Sequence, residues 1–326
     1  MEGRALCRYV AGFAVAALAA LASGPGSAQG SKAPGTPGSC DRTCLQYFVD
    51  QYLKALVAHD PTKAPIASSI RATENGQRLG VREGLWKTAS ADSTYRLYFA
   101  EPAKSEIGFI GAIKENDVPA LIALRLKVDS NLITEAETIV ARTQAGGLAR
   151  PEGFTRPKPI LTAVVPPAER VPREQMIKIA DSYFTGLDTD HSGANVPFDP
   201  QCQRRENGTE TANSTDAKAR PMAKLGCKAQ FDTGFSVFVT HVRERRYPIV
   251  DEERGLVYAE VFFDHAGAIA SWKNAVTGEV VPVPPTFRRP LTFQIGELFK
   301  IQGGKIRQIE AILYEAPYGM PSGWSD

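Results

Sequence analysis

Few residues of this chain have side chains suited to moving a proton near neutral pH, and most of them stand in pairs. The chain has four histidines. His59 precedes Asp60, His191 follows Asp190 and His265 follows Asp264, so three sit directly beside a carboxylate. A carboxylate orients the imidazole and favours its charged form, which suits a general base. At a helix end the same pair more often caps a solvated turn. His59 and His265 are the catalytic candidates among them. His241, in the stretch VFVTHVRER, alternates with apolar residues and is expected to point inward, as a ligand contact together with Asp264. Two more carboxylates occur in one repeated tripeptide, Glu74-Asn75-Gly76 and Glu206-Asn207-Gly208. Read as a turn, glycine supplies the unusual backbone angle and asparagine a side-chain turn bond. Read as a site, Glu74 and Glu206 are candidate bases and Asn75 a candidate ligand contact. Trp86 and Trp272 are candidates to line a pocket for a flat or hydrophobic ligand, although buried tryptophans mostly pack.

Other chemistries lack their signatures. No histidine shows His-Glu-x-x-His zinc spacing, and no Gly-x-Ser-x-Gly, P-loop or dinucleotide fingerprint occurs. The stretch GFIGAI holds Gly-x-x-Gly without the third glycine or the following helix. No metal and no cofactor are expected. Formal net charge is +2, with no long basic run, so nucleic acid is not an expected partner.

The N-terminus suggests a secreted protein. Arg4 and Arg8 precede an apolar run from Val10 to Ala22, and Gly26-Ser27-Ala28 offers a cleavage site, with Gln29 the expected mature start. The run is short for a membrane span, and no membrane association is expected of the mature form. Cleavage leaves Cys40, Cys44, Cys202 and Cys227, an even number in an oxidising compartment. Three pairings are possible; the local one, Cys40–Cys44 with Cys202–Cys227, is expected. The second bridge closes a loop of about 25 residues, worth ~3 kcal/mol in the chain-entropy view. That loop also carries two N-glycosylation patterns, at Asn207 and Asn213, relevant in a eukaryotic secretory host.

The elements that must position these residues come twice. Leu45, Phe48, Val49, Tyr52, Leu53 and Leu56 form one helical stripe; Met176, Ile177, Ile179, Ala180, Tyr183, Phe184 and Leu187 form another. A short helix is expected near Thr62–Ser69 after the first. Strand-like runs then cover Ile70–Glu74, Tyr95–Ala100, Ile107–Lys114, Pro119–Val128 and Leu132–Ala141. After the second helix they cover Phe235–Arg245, Leu256–Asp264, Leu291–Ile301 and Ile306–Tyr314. Glu206 lies 132 positions after Glu74, and Tyr183 lies 131 after Tyr52. QYLKALVAHD thus overlies SYFTGLDTDH, TENG overlies RENG, and LKVDSNLITEAETIV overlies FKIQGGKIRQIEAIL. Internal duplication is the expected cause. The implied organisation is a signal peptide (1–28), a flexible leader (29–39), a first α+β domain (40–142), a proline-rich linker (143–172) and a second α+β domain (173–326) holding the loop 202–227.

One long amphipathic helix followed by a strongly bent antiparallel sheet gives a cone-shaped α+β unit. The segments FVDQYLKALVAHDPTKAPIASSIRATENG and GKIRQIEAILYE resemble the nuclear-transport-factor-2-like (SnoaL-like, cystatin-like) superfamily. CDRTCLQYFVDQYLKALVAHDP, GLWKT, VDEERGLVYAEVFFDHAG and PYGMPSGW are similar to a secreted fungal and bacterial family of unknown function. The superfamily includes ketosteroid isomerase, whose helix tyrosine and first-strand carboxylate face each other across the cone. The resemblance places that pair on Tyr52 and Glu74, and in the second copy on Tyr183 and Glu206. It also implies a third group, a protonated acid on a later strand, for which the sequence shows no match. A carboxylate in an apolar cone gains basicity, and a tyrosine hydroxyl donates to a developing oxyanion. The expectation is therefore a cofactor-independent lyase, isomerase or cyclase acting on a partly apolar small molecule. The alternatives are a carrier of such a molecule and a structural pseudo-dimer, either monomeric or a homo-oligomer.

Overall fold

The computed structural model describes residues 40–143 and 149–325. The expected signal peptide and leader lie outside those residues. Asp41 caps the first helix, α1 (Arg42–Val57), by accepting the Cys44 N–H at 2.8 Å. Cys40 stands just before this cap and is bonded to Cys44, the placement a four-residue spacing requires. The six stripe residues of α1 are all buried, each contributing about 2 kcal/mol by leaving water. A single 3-10 turn, Pro61–Lys63, replaces the short helix expected near Thr62–Ser69. Ala64, ahead of Pro65, is held extended at φ −125° and ψ 153°, which stops the helix.

The first sheet contains β1 (Ile66–Glu74), β2 (Gln77–Arg78), β3 (Ala89–Ala91), β4 (Arg96–Glu101), β5 (Glu106–Glu115), β6 (Val118–Asp129) and β7 (Leu132–Arg142), with the short helix α2 (Leu85–Thr88) ahead of β3. Its order is β2-β1-β7-β6-β5-β3, with β4 paired to β5. The connection after β7 carries the helical turn α3 (Pro159–Thr162) and leads to α4 (Arg173–Asp188). The second sheet contains β8 (Phe198–Glu206) and β9 (Thr209–Ala212), then α5 (Pro221–Lys224) and α6 (Cys227–Asp232), then β10 (His241–Asp251) and β11 (Leu256–His265). A separate hairpin, β12 (Ser271–Lys273) and β13 (Val280–Pro282), precedes β14 (Leu291–Gln302) and β15 (Lys305–Ala316). The order is β10-β11-β14-β15-β8-β9. In each sheet one pair is parallel, β1 with β7 and β8 with β15. Cys202 and Cys227 are bonded.

The strand expected over Phe235–Arg245 is displaced. Phe235–Phe238 forms a 3-10 turn after left-handed Gly234 (φ 73°), and the strand runs over His241–Asp251 instead. It is an edge strand, so Pro248 within it disrupts no inner ladder.

Three apolar cores result. One fills the space between α1 and the first sheet, and one lies between α4 and the second. The third joins the two sheets through Tyr95, Phe99, Ile139, Tyr258, Leu298 and Ile312, with Phe154 and Leu161 of the connection packed in. The described residues fall in one compact unit. Buried charges cross this third core: Glu137 accepts from Arg125 at 3.1 Å and from Arg246 at 2.5 Å, and Glu310 accepts from Arg205 and Tyr95 at 2.7 and 3.0 Å.

The two Glu-Asn-Gly segments make the same turn. Asn75 and Asn207 adopt φ 49° and 46°, followed by Gly76 at 76° and Gly208 at 88°. The Asn75 side chain exchanges two hydrogen bonds with the Val140 backbone, at 3.2 and 2.7 Å; Asn207 does the same with Leu313, at 2.8 and 2.9 Å. Each asparagine thereby continues a parallel ladder past the point where the chain turns away. Each amide spends one N–H and one acceptor position on this and is buried. Asn75 is absent from the cavity lining beside it, and the buried Asn207 side chain faces the backbone in the folded protein. Asn213, in the other pattern, donates its amide to the Cys202 carbonyl at 2.7 Å.

Each turn is also covered by the segment that follows the other sheet. Arg150 donates its N–H to the Asn207 carbonyl at 2.8 Å. A Cβ on Gly208 would stand 1.9 Å from the Arg150 carbonyl oxygen. After β15, the Trp324 indole donates to Thr73 at 2.9 Å, and its ring lies against Arg71 and Arg125 at 4.4 and 4.7 Å.

Candidate functional site

Each sheet has a concave face covered by its helix, and the two hollows differ in content. The first holds a cavity of about 20 Å³, room for roughly one water. Trp86 fills it: its indole donates to the Tyr52 hydroxyl at 3.1 Å, with the rings edge-on at 5.2 Å. Burial pushes the Tyr52 phenol up to about 12. Glu74 is committed locally, accepting from the Leu85 N–H at 2.6 Å and from Arg142 at 2.9 Å. His59 is exposed beyond the helix end and bonds the Trp86 carbonyl at 2.7 Å, away from the cavity lining. Glu74, Tyr52 and His59 thus surround no space a substrate could enter. The geometry does not carry their expected roles, because Trp86, singled out as a pocket wall, fills the hollow itself.

The second hollow holds a cavity of about 450 Å³. Phe235, Phe238, Phe263, Phe287 and Phe293 supply its apolar walls, and Tyr183, Arg204, Glu206 and His265 face it. Alternation along β8 explains the placement. Arg204 and Glu206 project into the hollow, while Arg205 between them points to the inter-sheet core. Arg204 is buried. It donates to the Tyr183 hydroxyl at 3.3 Å, to Gln230 at 2.6 Å and to Thr211 at 3.0 Å, and lies 3.5 Å from Glu206. The second carboxylate oxygen of Glu206 has no partner among the described residues. Burial holds the Tyr183 phenol well above its ordinary range, so the hydroxyl is a neutral donor.

Behind Tyr183 stands Glu297, almost wholly buried. Burial first, and the Glu206 charge second, push its carboxyl up to about 8, against the opposing pull of Arg204 and a hydrogen bond from Tyr183. One of its oxygens has no partner among the described residues. His265 is pushed down to about 4 by burial. Its Nδ1–H donates to the Phe238 carbonyl at 2.9 Å, which leaves Nε2 as the basic nitrogen.

The other expected contacts lie elsewhere. Asp264 is on the opposite face of β11 from His265 and pairs with Arg243 at 2.8 Å and Thr292 at 2.6 Å. His241 does not point inward: it is exposed beside Asp188 at 3.3 Å, because its neighbour Val242 takes the buried side of the edge strand. Trp272 packs on Phe238 at 5.8 Å, one layer behind the cavity wall. Asp190 and His191 bond Asn195 and Ser236. Sequence reasoning missed Arg204 and Glu297. Arg204 precedes Glu206 by two residues on a strand, so it had to share its face. Glu297 was visible as a charge inside the apolar run FQIGELFKI. β6 and β14 begin 173 positions apart, which puts Leu124 of the first sheet at the place of Glu297.

Among the described residues no helix is long and apolar enough to cross a membrane. The chain matches a family described as a domain of unknown function (DUF8021) over residues 169–313, the stretch that holds α4 and the second sheet. No curated protein matches it. Three solved structures are similar to parts of it. A protein of unknown function with a cystatin-like fold from Methylobium petroleophilum PM1 has 18% identity and a TM-score of 0.28, covering 35% of this chain and 86% of its own. A de novo designed protein with a curved β-sheet has 15% identity and a TM-score of 0.26, covering 44% and 88%. A protein from Kribbella flavida DSM 17836, provisionally named a ketosteroid isomerase, has 14% identity and a TM-score of 0.26, covering 40% and 91%.

Proposed function

We propose that this is a secreted protein built from two copies of one helix-and-sheet unit, and that the second copy carries a cofactor-independent acid–base site for a small, partly apolar molecule. One observation carries the reading: Glu206, Tyr183 and Arg204 converge on an apolar cavity of about 450 Å³, whereas the matching hollow has about 20 Å³. In this reading Glu206 takes a proton from a carbon beside a carbonyl. The Tyr183 hydroxyl, which accepts from Arg204 and gives its single proton to Glu297 in the free protein, turns that proton to the carbonyl oxygen as charge develops there. Neutral Glu297 lies behind Tyr183 and supplies the protonated acid that the family resemblance implies. Return of the proton from Glu206 to a different carbon gives an isomerase; collapse of the enolate with breakage of the bond from the next carbon to a leaving group, which departs with that electron pair and takes the proton from Glu206, gives a lyase. The first copy then serves as a structural partner, its hollow filled by Trp86 and carrying Ala72 and Leu124 in place of Arg204 and Glu297.

The test is a ligand screen on the mature chain. Hydrophobic ketones, phenols and hydroxy compounds are scored by thermal shift, and each binder is re-examined by mass spectrometry after incubation. A binder that returns altered, with turnover lost and binding kept in Glu206→Gln, supports the assignment. Undiminished turnover in that variant removes Glu206 from the mechanism. Binders that return unchanged favour a carrier, a role the phenylalanine walls also suit.

A further inference from the structure

We propose that the ligand of the second cavity is an anionic amphiphile, a carboxylate on a flat apolar body, and that Arg220 at the cavity mouth receives the carboxylate. The proposal rests on the reading that this cavity is the binding site. The argument begins with charge. Arg204 faces Glu206 at 3.5 Å, so these two largely cancel. His265 is neutral near pH 7, with its ring among the phenylalanines. The remaining charged group of the lining is Arg220, which is exposed and makes no ion pair among the described residues. The cavity therefore presents one uncompensated positive charge at its open end and aromatic walls behind it.

Arg220 does not sit on a loose loop. The Cys202–Cys227 bridge ties the loop's two ends together. Asn213 N–H donates to the Leu225 carbonyl at 2.8 Å, Ser214 to Ala223 at 2.9 Å, and Ala223 back to the Arg220 carbonyl at 2.9 Å. The loop backbone is thus braced across its width, which fixes the Cα from which Arg220 lines the cavity. The first sheet lacks this device. Its β2–α2 connection is short, and its hollow is lined by Glu74 and Glu83 with no cation. The braced loop and its arginine occur beside the hollow that is open. A guanidinium is weakly hydrated and forms paired hydrogen bonds with a carboxylate, so partial desolvation at a cavity mouth favours that partner.

The probes are 2-naphthoate and its methyl ester, titrated calorimetrically into the mature protein at neutral pH and low salt. The wild type is expected to bind the carboxylate about tenfold more tightly than the ester, the magnitude of one charge-assisted contact. Arg220→Gln is expected to erase that preference while ester binding stays unchanged, and Arg220→Glu to reverse it. Unchanged ester binding also shows that both variants are folded. Ester binding without a carboxylate preference, or a preference that survives in Arg220→Gln, overturns the assignment of Arg220 and leaves the cavity as a site. Binding of neither probe overturns this proposal together with the reading of the cavity as a flat-ligand site.

Discussion

Replacing Glu297 by Gln removes a carboxyl that folding carries from its ordinary value of 4.5 to about 8. A raised carboxyl binds its proton more tightly in the folded state. Its share of stability is therefore fully present below about pH 4.5 and is lost as pH rises through 8. The interval spans about 3.5 pH units at roughly 1.4 kcal/mol each, so ionisation costs the fold about 5 kcal/mol by pH 8.5 and about 3 kcal/mol at pH 7. The side chain is almost wholly buried, so solvent screening does not reduce this much. Glutamine keeps the shape and cannot ionise. The assay is denaturant unfolding of wild type and Glu297→Gln at pH 4.5, 7 and 8.5 with the disulfides intact. The difference between the two proteins cancels the titrating groups that do not interact with Glu297, which leaves Glu297 and its neighbour Glu206. It is expected to be small at pH 4.5 and to grow by several kcal/mol in favour of the variant by pH 8.5. A difference that stays flat across this range would refute the claim that Glu297 is held neutral behind Tyr183, and with it the neutral acid assigned there.

His265 sets the opposite limit. Its imidazole falls from 6.5 to about 4 on folding, so the stability it contributes is lost as pH drops through that window, by about 3 kcal/mol, and His265→Gln is expected to flatten acid unfolding between pH 6.5 and 4. Gly208→Ala puts a Cβ 1.9 Å from the Arg150 carbonyl oxygen at a φ of 88°, so it is expected to cost about 2–4 kcal/mol by denaturant unfolding and to speed proteolysis of the connection around Arg150. Gly80→Ala meets nothing within 4 Å and is its control, expected to stay within about 0.5 kcal/mol.

Much of the fold was legible because its signals are periodic. The stripes through Tyr52 and Tyr183 could only be helices packed on something apolar, and both are buried along their length. The repeated Glu-Asn-Gly was legible as a recurrence, but its meaning was not. Nothing local tells that the asparagine side chain bonds a strand some 65 positions away in one case and 106 in the other. The strand begun too early at Phe235 failed because aromatic content alone does not separate a strand from a turn packed on a core, and Gly234 was the cue that it overrode.

The proposed site was legible in kind and not in place. The overlay put Tyr52 against Tyr183 and Glu74 against Glu206, each pair on a matching helix and strand, but it weighted the two hollows equally. What separates them is apolar residues in the first where the second has charged ones, Ala72 for Arg204 and Leu124 for Glu297, and an indole that closes the first hollow. Such differences decide function through volume and desolvation, neither of which is a property of spacing. A hollow of about 20 Å³ turns a tyrosine and a nearby carboxylate into packing and a local tether. A hollow of about 450 Å³ around the same residue types leaves one carboxylate oxygen without a partner among the described residues, one phenol held protonated against Glu297, and that acid raised to about 8 by burial. Position by position, the informative comparison is therefore between the two helix-and-sheet units. Where they agree, as at the two asparagine turns, the residues hold the backbone; where they diverge toward charge inside an apolar wall, the second unit has the groups to which the proposed function assigns its chemistry.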